Sequence, residues 1–104
     1  MVLRFNNAYL EKLYQGKAVS KKPRYSRDVV LIFKKTMLIL QAVENIKQLG
    51  NLRGLNFEPL KGKLKGKYSV RLNLEYRLIV SVLKDRSSAD SEVLVIEELT
   101  NHYQ

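Results

Sequence analysis

Between Lys61 and Arg77 the chain sets Lys61, Lys63, Lys65, Lys67, Arg71 and Arg77 against Glu75 as the one acid in the run. Gly62 and Gly66 stand between the lysines, and glycine lets a basic loop bring its backbone close to phosphates. Tyr68 and Tyr76 flank the same stretch, where aromatic rings beside positive charge offer stacking surfaces for unpaired bases. Such interleaving suits RNA. It equally suits a solvated hairpin edge, where lysines block pairing with other sheets. The whole chain leans the same way, with 19 Lys and Arg against 10 Asp and Glu, net charge +9 and pI near 9.9. That excess favours a polyanionic partner such as nucleic acid, or an acidic protein, over a surface that is merely basic.

Other chemistries lack their residues. There is no GxxxxGK[ST], GxGxxG or HExxH run, and His102 is the single histidine. These absences argue against a nucleotide hydrolase and a multi-histidine metal site. No serine sits in a recognisable nucleophile turn. Cysteine is absent, which removes disulfides, thiolate metal sites and a cysteine nucleophile, and fits a reducing compartment. The opening MVLRFNNAYL does not read as a signal peptide. Lys34, Lys35 and Thr36 interrupt the longest apolar stretches, well short of the ~18 residues a membrane span needs. The expected location is the cytoplasm, with no membrane contact and no cofactor.

The elements that must position these residues follow from periodicity. At 104 residues the chain has room for one domain, residues 1–104. Val2 to Phe5 reads as a strand. A short helix follows from about Asn6 or Asn7 to Gln15, with Tyr9, Leu10, Leu13 and Tyr14 at helical spacing and Gly16 to end it. The basic stretch 17–25, with Pro23, reads as a connection. Ser26 and Asp28 suit the start of a main helix running to about Leu49. Lys34, Gln41, Asn45 and Gln48 form its narrow polar face, and apolar residues occupy more than half its circumference. So wide a stripe needs a second cover besides the sheet, either the first helix or another chain. From Lys67 the period becomes two, with Tyr68, Val70 and Leu72 on one face. Asn73 to Glu75 forms a turn, Tyr76 to Leu83 a second strand, residues 84–91 a polar turn and Glu92 to Leu99 a third strand. The expected architecture is α+β, with N-terminal helices on one face of a three- to four-stranded antiparallel sheet.

The run EPLKGKLKGKYSVRLNLEYRLIV, Glu58 to Val80, resembles the RelE/HigB/YoeB-type toxins. Their pattern is roughly E/H-x-L-K-G, a short basic loop, [WY]-S-x-R, Asn, and a [YH]-R-L hairpin. The closing His102-Tyr103 resembles the end of the YoeB branch, and LYQGK near the start is HigB-like. The resemblance covers residues 26–104 well and residues 1–25 more weakly.

This resemblance implies a RelE-like fold and a ribosome-dependent mRNA endoribonuclease that needs no metal and acts through the ribose 2′-OH. That reaction needs a base, an acid for the leaving 5′-oxygen, and positive charge for the developing phosphorane. Glu58 is the candidate base, ionised at neutral pH. His102 is the candidate acid, of a type that titrates near the working pH. Arg77 and Arg71 can fork onto phosphate oxygens as lysine cannot. Tyr103 completes the catalytic set by stacking or hydrogen bonding. Lys61, Lys63 and Lys65, with Arg71, are expected to grip RNA. The implied partners are a cognate antitoxin, mRNA and the ribosome, with operator DNA bound only through the antitoxin complex. The competing expectation is a ParE-like toxin, which inhibits DNA gyrase by binding and needs no nuclease residues.

Overall fold

Asn7, Ser26 and Asn45 each precede a helix, where a short oxygen-bearing side chain can satisfy an amide that the helix leaves open. In the computed structural model, which describes residues 1–17, 22–84 and 92–101, Asn7 accepts from the Leu10 amide ahead of α1 (Ala8–Gln15). Ser26 accepts from the Val29 amide ahead of α2 (Arg27–Ala42). Gly16 closes α1 at φ 76°, a left-handed conformation that favours glycine.

The main helix is shorter than its apolar periodicity predicts. α2 stops at Ala42, Val43 is extended, and Asn45 caps a separate helix, α3 (Ile46–Gly50), by accepting from the Gln48 amide. The Asn45 side chain offers a local hydrogen bond that competes with continuing the helix, and β-branched Val43 does little to oppose it. Val43 and Leu49 are still buried, so the apolar pattern survives the break that it concealed.

Five strands form one sheet in the order β1-β5-β4-β3-β2: β1 (Val2–Phe5), β2 (Glu58–Pro59), β3 (Tyr68–Arg71), β4 (Arg77–Lys84) and β5 (Glu92–Thr100). The sheet is therefore larger than three or four strands, and it is mixed, because β1 runs parallel to β5. The other pairs are antiparallel. No hairpin joins β1 to its neighbour, so nothing imposes the antiparallel direction there. β2 is too short for a periodic signal, and its Pro59 suits only an edge. An edge is where it lies.

Alternation along the strands sends Val70, Leu78, Val80, Leu94 and Ile96 to the helix side, fully buried with Leu10, Phe33, Met37 and Leu40. Tyr68 and Tyr76 belong to this side too. Tyr68 stacks on Phe57 with ring centroids 4.8 Å apart, and Tyr76 meets Tyr25 edge-on at 5.9 Å. The two rings thus serve packing, where the sequence suggested base stacking. The Tyr25 hydroxyl donates to the Leu99 carbonyl at 2.7 Å, and burial pushes its pKa upward.

The solvent line of α2 differs from the predicted one. Leu31 and Leu38 are 60% and 61% exposed and Ile39 is 38% exposed, while Lys34 is half-buried and Thr36 buried. A helix apolar over most of its circumference has too weak an amphipathic phase to fix which side turns outward. α1 covers one flank, with the Tyr14 hydroxyl donating to the Gln41 side chain at 3.1 Å, and leaves the leucines uncovered. Among the described residues no helix is long and apolar enough to cross a membrane.

Candidate active site on the open face of the sheet

The residues left over by alternation make the other face of the sheet, which the described helices do not cover. Register sets them in rows. Glu58 pairs with Ser69, Ser69 with Ile79 and Ile79 with Glu98. In the next outward row Arg71 pairs with Arg77 and Arg77 with Thr100. Two hairpins and one edge strand are enough to bring together residues far apart in the chain.

Glu58 and Arg77 meet here, with Oε1 and Nη1 3.5 Å apart. The Arg77 side chain is only 10% exposed and that of Glu58 is 48% exposed, so the guanidinium is held while the carboxylate stays open to a substrate. Asn56 helps to hold it. With its amide turned so that the carbonyl faces Arg77, Asn56 accepts from Nη1 and Nη2, both at 3.3 Å. Asn56 adopts φ 43° after a 3-10 turn at Arg53–Leu55, a left-handed position that asparagine tolerates better than most residues. Arg71 stands directly opposite Arg77. Like charges so placed repel, and a phosphate bridging them would relieve that repulsion.

The basic loop joins β2 to β3 at the other end of β3, next to Pro59 and Tyr68. It is closed at its base by a hydrogen bond from the Leu60 amide to the Lys67 carbonyl at 2.9 Å. Inside it, a 3-10 turn (Gly62–Leu64) begins with Gly62 at φ 66° and is followed by Gly66 at φ 95°. The glycines are thus explained by backbone conformation. Leu64 is half-buried, while Lys61, Lys63 and Lys65 all face solvent. An anchored loop with three outward ammonium groups therefore stands at the Tyr68 end of β3, while Arg71 and Arg77 form the row at its other end.

A second ion pair crosses the same face. β5 carries a bulge, since Ile79 pairs with Glu98 and Val80 with Ile96, leaving Glu97 as the extra residue. The Glu97 carboxylate meets Lys67 Nζ at 2.9 Å and accepts from the Asn6 side chain at 3.0 Å. The freed Glu97 carbonyl accepts from Asn7 Nδ2 at 3.1 Å. The hydrogen bond from Lys67 holds the Glu97 carboxyl below its ordinary pKa, partly opposed by burial. Because β4 lies between β3 and β5, the Lys67–Glu97 bridge passes over β4.

Of the site residues read from the sequence, Glu58, Arg77 and Arg71 come together on one face, with Lys61, Lys63 and Lys65 on the adjoining loop. His102 and Tyr103 lie outside the described residues; β5 ends at Thr100, opposite Arg77. Sequence reasoning missed Asn56, Glu97 and Asn6. Their only signals are an asparagine after a turn and a strand that skips a beat, and both need the pairing partner to acquire meaning.

The chain matches a model of the RelE-like toxin of type II toxin-antitoxin system HigB over residues 3–93. No curated protein matches it. Among solved structures it is similar to a YoeB/ParE toxin from Agrobacterium tumefaciens, 23% identical, with 99% of this chain and 100% of that one covered at a TM-score of 0.59. The YoeB–YefM complex from Staphylococcus aureus gives 23% identity, 99% and 98% coverage and a TM-score of 0.58. YafQ from E. coli gives 18% identity, 94% and 89% coverage and a TM-score of 0.56. At these identities the structures establish the likeness of fold.

Proposed function

The chain belongs to the RelE-like toxins of type II toxin–antitoxin systems, within the HigB-like family, and from that membership we propose that it is a ribosome-dependent mRNA endoribonuclease. The observation that carries the reading is the contact between Glu58 and Arg77 on the open face, with Arg71 toward one end of β3 and the three-lysine loop at the other. Glu58 takes the proton of the ribose 2′-OH, whose oxygen then bonds to the adjacent phosphorus as the bond to the 5′-oxygen breaks. His102 returns a proton to that oxygen. Arg77 and Arg71 stabilise the negative charge that builds on the phosphoryl oxygens. Tyr103 stacks beside the scissile step, while Lys61, Lys63 and Lys65 hold the RNA backbone. No metal takes part in this scheme.

The restraining partner is a cognate antitoxin, as in the similar YoeB–YefM complex, and operator DNA is bound only through it. Leu31, Leu38 and Ile39 on α2 suit an apolar segment of that antitoxin, with acidic side chains set against Lys34 and Lys35. The complex acts in the cytoplasm.

The test is to induce wild type, Glu58→Gln and His102→Gln in a bacterium lacking the antitoxin and to map mRNA 5′ ends within minutes. Growth arrest with new ends inside translated codons, lost in both variants, is the expected result. Arrest without new ends, unchanged in the variants, would replace this reading with a gyrase-binding, ParE-like toxin.

A further inference from the structure

Ser69 is fully buried, and among the described residues its hydroxyl has no hydrogen-bond partner. Its place explains why that matters. It is the cross-strand neighbour of Glu58 on one side and of Ile79 on the other. β3 lies between β2 and β4, so the contact from Glu58 to Arg77 must pass over β3, on the face where Ser69 and Arg71 stand. A buried polar group left unsatisfied is costly, and alanine would fill nearly the same space without that cost.

We propose that Ser69 is a positioning residue for Glu58, idle while Glu58 leans on Arg77 and engaged when a phosphate competes with Glu58 for the guanidinium. This rests on the reading of Glu58 as the base. Once the scissile phosphate occupies the guanidinium donor that Glu58 uses, the carboxylate is displaced from its ion partner. The nearest side-chain donor in its row is then the Ser69 hydroxyl, since directly opposed side chains stand roughly 5 Å apart at Cβ. A hydrogen bond from Ser69 to one carboxylate oxygen leaves the other turned toward the 2′-OH. The hydroxyl touches neither the phosphate nor the ribose, so its effect passes entirely through Glu58.

The experiment compares wild type, Ser69→Ala and Glu58→Gln as full chains. It measures single-turnover cleavage of mRNA on programmed ribosomes across pH, together with thermal melting. For Ser69→Ala the expected result is a melting temperature equal to or above wild type and an unchanged KM. The cleavage rate should fall about tenfold, the order of one lost hydrogen bond to a charged group. The acid limb of the rate profile should also move to higher pH, because a carboxylate without its donor is protonated more easily. A merely structural serine would lower melting without moving that limb. The proposal is overturned if the Ser69→Ala rate and acid limb match wild type while Glu58→Gln is inactive. Should Glu58→Gln cleave normally, the assignment of Glu58 as base falls first, and Ser69 with it.

Discussion

Leu78 and Ile79 are successive residues of β4, both buried, yet different things cover them. Leu78 points into the helix-covered core with Phe33, Met37 and Leu40. Ile79 lies outside that cluster, on the face crossed by the Glu58–Arg77 and Lys67–Glu97 pairs. Val95 and Ser69 share its situation, buried on the open side. One face is sealed by apolar side chains, which gain from leaving water and have no other use. The other is roofed in part by charged side chains whose stems cover apolar surface while their heads remain available. Under the proposed function, stability and chemistry are thereby divided between the two sides of the same strands.

The sharpest way to break this division is through the core. Phe33→Ala should cost about 3–5 kcal/mol, the range for deleting a buried aromatic ring. Urea unfolding would show it as a large fall in midpoint, with cleavage per folded molecule retained if the two faces are independent.

Arg77→Lys tests the opposite side. It keeps the charge and loses the fork, so cleavage should drop by roughly 100-fold or more, as when a preorganised transition-state donor is removed. The urea midpoint should move little. A comparable loss of stability would show that Arg77 is chiefly a structural strut.

Glu97→Gln gives the smallest effect and the one that depends on pH. The Glu97 carboxyl is held below its usual range, first by the hydrogen bond from Lys67. Its contribution is therefore complete above the pH at which an unfolded glutamate ionises, roughly 4.3, and fades as pH falls through the lower folded value. Since the Lys67 side chain is 39% exposed, solvent screens the pair, and Gln should cost about 1 kcal/mol or less at neutral pH. Melting followed from pH 7 to pH 3 should bring wild type and variant together at the acid end. A gap that persists there would assign the effect to packing at the bulge.

Much of the fold was legible because its signals are local. Asn7 and Ser26 start helices, Gly16 ends one, and Asn73 turns the hairpin by accepting from the Glu75 and Tyr76 amides at 2.9 and 2.7 Å. Each needs only its near neighbours in the chain. The break at Val43 was hidden because the apolar spacing runs straight through it. β2 was hidden because two residues show no period. The parallel placement of β1 was hidden because strand direction without a hairpin is a long-range choice. For the site, residue types pointed to Glu58, Arg71, Arg77 and the lysines. Tyr68 and Tyr76, which the sequence offered as stacking surfaces, pack against Phe57 and Tyr25, since the same period of two that marks a strand does not say which face meets the helices.

By itself, then, the sequence determined the basic charge, the helix caps, the hairpin and the chemical kinds of residue available, because these follow from side-chain chemistry and short-range backbone preference. Only the tertiary structure decided that Glu58 reaches Arg77 across β3, that Asn56 holds the guanidinium, that Glu97 stands out at a bulge to meet Lys67, and that the Ser69 hydroxyl lies without a partner among the described residues. Each of these depends on strand register, and register is set by the burial of a whole face at once.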